Sequence, residues 1–90
     1  RRSYKLDLEL AGGVQIELFS FPDPPQRVTN PEAAGLRHLA LAVDDIDAEI
    51  ERLSALGIKC ESVRTDEHTG SRFTFFRDPD DLPIELYDVR

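Results

Sequence analysis

The sequence predicts an α+β fold built from repeated strand units, and two observations support this prediction. A short frame occurs twice, as residues 15–19 (QIELF) and as residues 83–87 (PIELY). In addition, residues 36–90 show the order β-α-β-β-β, which is one complete unit, whereas residues 1–35 show only two strands and a linker. Because a recurring pattern marks a repeated architecture, we expect paired units, with the first unit incomplete in this chain.

The complete unit contains one helix between strands. Residues 36–43 predict the first strand, and Asp44 or Asp45 is expected to cap a helix over residues 46–56. Gly57 is the expected helix end. The buried stripe of the helix is predicted to consist of Ile46, Ile50 and Leu53. The remaining strands are predicted over residues 58–64, 71–77 and 83–89.

The first 35 residues predict a hairpin followed by an ordered linker. Leu6, Leu8 and Leu10 alternate with polar residues, as in a half-buried strand, and a glycine-containing turn leads into residues 14–20. Four of the six prolines then fall between residues 21 and 35. We therefore divide the chain into residues 1–30, the remainder of a first unit plus linker, and residues 31–90, the complete second unit.

The spacing of the repeated frame also predicts where the first unit begins. His38 precedes Glu85 by 47 positions. The same spacing counted back from Glu17 reaches a point before residue 1. We therefore expect the opening strand and helix of the first unit to be absent from these residues.

Composition excludes several classes of protein. Ninety residues with 40% hydrophobic and 32% charged content are typical of one small soluble globular domain. No apolar run approaches the roughly 20 residues of a membrane helix, and a net charge of −7 argues against nucleic-acid binding. The single cysteine, Cys60, excludes an intrachain disulfide and predicts a reducing, cytoplasmic location; we expect it to be a small packed side chain.

Three polar residues occupy matched strand positions. Glu17 and Glu85 lie at the same point of the repeated frame, and His38 lies in the strand that opens the second unit. Taken singly, each is more often a solvent-facing or hydrogen-bonded residue than a ligand. Together they predict a divalent metal site in a cup of strands, because imidazole and carboxylate suit Zn²⁺, Ni²⁺, Mn²⁺ or Fe²⁺.

Other polar residues carry weaker signals. We expect His68 to be an exposed loop residue. Arg72 and Arg77 are candidates for contact with an anionic substrate, but strand-edge arginines more often pair with nearby carboxylates.

The aromatic residues are assigned to faces by strand alternation. We expect Phe73 and Phe75 to fill the core beneath the helix, and Phe76 to line the cup on the face of Arg72 and Thr74. Tyr87 shares the face of Glu85, where it either orients a ligand or packs in the core.

Residues 35–46 (GLRHLALAVDDI) and residues 75–87 (FFRDPDDLPIELY) resemble the vicinal oxygen chelate superfamily. This superfamily includes glyoxalase I, fosfomycin-resistance proteins, bleomycin-binding proteins and extradiol dioxygenases. Residues 16–19 resemble the end of the preceding module, so the resemblance covers essentially the whole chain. It is strongest to small bacterial glyoxalase I-like (lactoylglutathione lyase-like) proteins.

The resemblance implies paired βαβββ modules that form a curled mixed sheet around a divalent metal. Its members take a histidine and a glutamate from each module, which implies His38 and Glu85 from the second and Glu17 from the first. The fourth ligand would be a histidine of the absent opening strand. Because members often build the site from modules of two subunits, a homodimer is implied. Asp81 stands where the family's turn usually has glycine, and aspartate tolerates a left-handed backbone.

The resemblance further implies a metal-dependent lyase or isomerase acting on a small α-oxo or hemithioacetal-type substrate. Glutathione or another thiol is the candidate co-substrate, and Glu85 is the candidate general base. One alternative is an Fe²⁺ extradiol dioxygenase, against which a second carboxylate such as Glu17 argues. The other is a non-catalytic antibiotic-binding protein, in which the ligand positions are normally lost.

Overall fold

The structure is a computed structural model and describes residues 3–89. Arg1, Arg2 and Arg90, which fall within the predicted domain bounds, lie outside the described residues. In chain order the elements are β1 (Tyr4–Glu9), a 3-10 turn (Ala11–Gly13), β2 (Gln15–Ser20), β3 (Leu39–Val43), α1 (Ile46–Ala55), β4 (Arg64–Thr65), β5 (Arg72–Arg77) and β6 (Pro83–Asp88). The predicted α+β class is confirmed.

The strands form two sheets. Strands β1 and β2 make an antiparallel hairpin, and the other four strands follow the order β3-β6-β5-β4. Strand β6 pairs parallel with β3 and antiparallel with β5. The second sheet is therefore mixed, as expected, and its first and last strands in sequence lie side by side.

Helix α1 begins and ends where the sequence predicted. Asp45 is the N-cap, and its side chain accepts a hydrogen bond from the Ala48 N–H at 3.1 Å. At the other end Gly57 has a φ of +82°, and the N–H groups of Gly57 and Ile58 donate to the carbonyls of Ser54 and Leu53. This is the Schellman arrangement that glycine favours.

The core lies between α1 and one face of the four-stranded sheet. Its buried hydrophobic residues are Ile46, Leu53 and Leu86. Packed against them are the half-buried residues Leu41, Val43, Ile50, Ile58, Cys60 and Phe76. Because this core occupies one face of the sheet, the residues that alternate with it in β3, β5 and β6 are left on the opposite face.

The predicted faces of β5 were wrong. Thr74 is fully buried and Phe76 packs against the core, so Phe73 and Phe75 lie on the side away from the helix. The Thr74 hydroxyl donates to the Glu61 carbonyl at 2.7 Å. This bond satisfies the buried polar group, and it is the reason that a threonine can take the core position in place of an aromatic residue.

The strand predicted over residues 58–64 is also mostly absent, since only Arg64–Thr65 pairs as a strand. Ile58 and Cys60 still pack against the core, and the Glu61 N–H donates to the Phe75 carbonyl at 2.9 Å. Core contacts at alternate positions produce the strand-like pattern here without a continuous ladder. Burial raises the pKa of the Cys60 thiol, as expected for a packed side chain.

Hydrogen bonds from two side chains hold the linker between the sheets. The Thr29 hydroxyl is buried and donates to the Asp81 carbonyl at 2.9 Å, and the Arg27 guanidinium donates to the Leu36 and Arg37 carbonyls. Asp81 has the left-handed backbone predicted for it, with a φ of +70°. Nowhere between residues 3 and 89 does a helix combine the length and the apolar character needed to span a membrane.

Candidate active site

His38 and Glu85 meet on the sheet face opposite the core. Ala40 lies opposite Glu85 in the parallel register of β3 and β6. His38, two residues before Ala40, immediately precedes β3 and reaches the same carboxylate. Its Nε2 lies 3.1 Å from Glu85 Oε1, and the two side chains are 32% and 14% exposed. The pair joins positions 47 residues apart in sequence.

Aromatic rings form a wall beside this pair. The Phe75 ring is nearly perpendicular to the His38 ring at a centroid distance of 5.1 Å, and the Phe73 ring is nearly perpendicular to Phe75 at 6.2 Å. Tyr87 stacks on Phe73 at 6.4 Å. This face therefore offers an apolar surface next to an imidazole and a carboxylate, a combination typical of small-molecule sites.

Arg64 lies beside the aromatic rings of this wall. Arg64 lies opposite Phe73 in the β4–β5 register. Its guanidinium carbon is 5.1 Å from the Phe73 ring centre and 5.5 Å from the Phe75 ring centre. Both distances are within the range of cation–π attraction. The site face therefore carries a guanidinium beside two rings, one of which, Phe75, also contacts His38.

The polar turn after β4 folds back onto Tyr87. The Tyr87 hydroxyl donates to Asp66 Oδ2 at 3.1 Å and is also hydrogen-bonded to the Thr69 hydroxyl. Asp66 Oδ1 accepts from the His68 N–H at 2.8 Å. The His68 N–H bond, followed by the bonds from Tyr87 and Thr69, holds the pKa of Asp66 below its ordinary value of 3.8. This turn fixes the orientation of the phenol two residues after Glu85.

We predict that replacing Asp66 with asparagine weakens the fold most at neutral pH. A lowered folded-state pKa means that the ionised carboxylate stabilises the fold above the unfolded-state pKa, and that this stabilisation is lost as the pH falls through the folded-state value. Denaturant titrations at pH 7 and pH 3 should therefore show a difference between the wild type and Asp66→Asn that shrinks on acidification. A difference that grows on acidification would contradict this assignment.

Glu17 lies apart from the His38–Glu85 pair, on the β1–β2 hairpin. It stands opposite Asp7 in the hairpin register, and its Oε2 accepts a hydrogen bond from Lys5 Nζ at 3.1 Å. Over residues 3–89, no group of three or more His, Cys, Asp or Glu side chains is arranged to hold a metal ion. Two of the three predicted ligands are thus brought together within this chain.

The other predictions for polar residues agree with the structure. His68 is exposed. Arg72 and Arg77 form ion pairs with Asp47 and Asp81 at 2.8 Å and 2.7 Å. Sequence reasoning missed Arg64, Phe73 and Phe75 as site residues. Their alternation with Thr74 was visible, but the sequence does not say which face of a strand meets the helix.

The donor set of the pair fits a divalent metal. Neutral imidazole and carboxylate are common ligands of Zn²⁺ and related ions, at bond lengths of roughly 2.0–2.2 Å. The two donor atoms, His38 Nε2 and Glu85 Oε1, face each other at 3.1 Å, so one ion could take both as ligands. His38 and Glu85 would therefore hold the ion, with Glu17 as the candidate from the hairpin.

Comparison with known proteins identifies the family of this chain. Residues 2–86 match the family described as the Glyoxalase/Bleomycin resistance protein/Dioxygenase superfamily. Over 88 residues the chain is 62% identical to Uncharacterized protein YwkD of Bacillus subtilis (strain 168) and 59% identical to Uncharacterized protein YaeR of Escherichia coli (strain K12). These matches cover 98% of this chain and 69% and 68% of the two proteins.

Solved structures extend the comparison. The glyoxalase family protein from Enterococcus faecalis is 48% identical with a TM-score of 0.85, over 93% of this chain and 66% of that one. Methylmalonyl-CoA epimerase from Mycobacterium tuberculosis is 26% identical with a TM-score of 0.55, over 93% and 61%. The fosfomycin resistance protein FosX from Listeria monocytogenes is 22% identical with a TM-score of 0.66, over 98% and 65%, a likeness of fold alone.

Proposed function

The chain belongs to the Glyoxalase/Bleomycin resistance protein/Dioxygenase superfamily, and from that premise we propose that it is a metal-dependent lyase or isomerase of the glyoxalase I type. The substrate is a small α-oxo compound or its hemithioacetal, with glutathione or another thiol as co-substrate. The observation that supports this proposal is the His38–Glu85 pair, with 3.1 Å between Nε2 and Oε1, beside an aromatic wall.

Each member of the pair has a role in this proposal. A divalent ion held by His38 and Glu85 would polarise the neighbouring oxygens of the substrate and so acidify the C–H bond beside them. The Glu85 carboxylate has two oxygens, so one can help to hold the ion while the other receives a proton. Glu85 then takes the proton from one carbon and returns it to the next as general base and acid.

The surroundings of Glu85 suit this task. Its side chain is only 14% exposed, so few water molecules compete with the substrate for the carboxylate. Phe75 packs against His38 and restrains the imidazole, and Tyr87 is held by Asp66. A general base works best when its position is fixed before the substrate binds, and these contacts supply that rigidity.

We propose further that the protein acts in the cytoplasm as a homodimer. The single cysteine supports a reducing location. Glu17 is on a separate hairpin from His38 and Glu85, so a second copy is the proposed source of the Glu17 carboxylate that joins the pair. Sedimentation with and without Zn²⁺ measures the oligomeric state directly.

The test of the proposed activity is metal-dependent conversion of a hemithioacetal. The protein is stripped with a chelator, reloaded separately with Zn²⁺, Ni²⁺, Mn²⁺ or Fe²⁺, and mixed with methylglyoxal and glutathione in D₂O. We expect thioester formation with at least one metal, no conversion by the stripped protein, and exchange of substrate hydrogen detected by NMR. Oxygen uptake with a catechol would instead support a dioxygenase, and binding without turnover in every metal form would support a non-catalytic binding protein.

A further inference from the structure

We propose that Arg64, supported by Phe73 and Phe75, forms a subsite for a carboxylate of the substrate. The inference rests on the proposed function and narrows the substrate class. The substrate would be a short-chain compound with two neighbouring oxygens at one end, facing His38 and Glu85, and a carboxylate at the other end.

The Arg64 guanidinium lies within cation–π distance of two aromatic rings. Its central carbon is 5.1 Å and 5.5 Å from the centres of Phe73 and Phe75. The two rings stand at 88° to each other, so the guanidinium contacts both without stacking flat on both. Its N–H groups lie in the guanidinium plane, where a carboxylate can accept two parallel hydrogen bonds.

Glu61, the ion-pair partner of Arg64, uses only part of the hydrogen-bonding capacity of the guanidinium. Glu61, three residues before Arg64, accepts a hydrogen bond from Arg64 Nη2 through its Oε1 at 3.2 Å, and the Arg64 side chain is 53% exposed. Arg72 differs, because both of its Nη atoms donate to the two carboxylate oxygens of Asp47. A guanidinium with five N–H donors and one neutralising contact can take a further anion.

Phe75 contacts both Arg64 and the pair. Its ring centre is 5.1 Å from the centre of the His38 ring and 5.5 Å from the Arg64 guanidinium carbon. The reacting end and the carboxylate of the substrate would therefore both lie beside this ring. The backbone on the Arg64 side is fixed to β5, because the Glu61 N–H and carbonyl bond to Phe75 and Thr74.

The charge of the chain affects how Arg64 would act on an anionic substrate. The chain carries a net charge of −7, which repels anions over most of its surface. Because Glu61 offsets the charge of Arg64, the guanidinium would act at short range, orienting an anionic substrate that has reached the aromatic face. Because Arg64 is half exposed, added salt should screen this attraction.

Two probes that differ by one carboxylate test the subsite. Lactate and malate share the α-hydroxycarboxylate group, and malate adds a second carboxylate. Calorimetric titration of the Zn²⁺-loaded protein should show malate binding about tenfold more tightly than lactate, a gain typical of one charge-assisted contact. In Arg64→Gln the malate preference should disappear while the lactate affinity is unchanged. Arg64→Lys should retain part of the preference.

Arg52→Gln is the matched control, since Arg52 also forms a surface ion pair three residues away, with Glu49 on α1. It should leave both affinities unchanged. Equal affinities for malate and lactate in the wild type overturn the subsite, even if hemithioacetal conversion is normal. A malate preference that is lost in Arg64→Gln supports the subsite, even if the protein does not convert a hemithioacetal. The binding test and the activity test can therefore fail independently of each other. Glutathione is titrated in parallel, and a loss in Arg64→Gln confined to glutathione would overturn the assignment to the substrate.

Discussion

Replacing Glu85 with glutamine is expected to slow proton exchange on a hemithioacetal by roughly 100-fold to 10,000-fold, the usual contribution of a general base. Glutamine has the same size and can still accept a hydrogen bond, but its amide does not take up a proton at neutral pH. Exchange is measured by NMR in D₂O at saturating metal, so that weaker metal binding by the variant does not account for the loss.

Two comparisons make this expectation specific. Glu51→Gln changes an exposed glutamate of α1 and should leave exchange unchanged. Metal content of Glu85→Gln, measured by atomic spectroscopy, separates loss of the ligand from loss of the base. If the variant retains full exchange while a chelator abolishes it, Glu85 is not the base and the assignment fails.

The largest effect on stability is expected for Leu86→Ala. Leu86 is 4% exposed and lies in β6, which is flanked by β3 and β5. Truncating a buried leucine removes its burial and leaves a cavity, at a cost of about 2–5 kcal/mol. Small domains have only about 5–15 kcal/mol of stability, so this loss is a large fraction of the total. Urea denaturation followed by circular dichroism measures it.

Leu56→Ala is the control for the Leu86 variant, because Leu56 is 66% exposed. The same chemical truncation there should cost well under 1 kcal/mol, since surface substitutions are usually within about 0.5 kcal/mol. Similar midpoints for the two variants would mean that Leu86 does not belong to the core as described.

Local signals predicted the helix of this fold well. Asp45 before a helical pattern and Gly57 after it are capping residues with fixed geometric roles, so both ends of α1 were predicted nearly to the residue. The stripe of Ile46 and Leu53 depends only on helical spacing. These features are readable because each is determined by neighbours within a few positions.

Local signals did not predict which face of β5 packs against the helix. Strand alternation shows that Phe73 and Phe75 share a face and that Thr74 faces the other way, but it does not show which face meets the helix. Hydrophobicity favoured the aromatic pair for the core. The choice of Thr74 depends on a partner distant in sequence, the Glu61 carbonyl, which a sequence pattern does not show.

The candidate site was predictable only in part, because some of its residues are placed by partners distant in sequence. His38 and Glu85 were identified from strand context, and the parallel register brings them together. Arg64 was missed because its place on this face comes from cation–π contacts with two rings that had been assigned to the core. Glu17 shares the sequence frame of Glu85, but in this chain its carboxylate bonds to Lys5. Its place in the metal site stays a prediction.

The parallel pairing of β3 with β6 has a consequence for biosynthesis. The two halves of the His38–Glu85 pair are 47 residues apart, and β6 occupies an interior place in its sheet. During translation, β3 and α1 are synthesised before their partner strand exists. Ligand-binding competence should therefore appear abruptly when β6 emerges, and nascent chains stalled before Pro83 should be sensitive to protease and unable to retain metal.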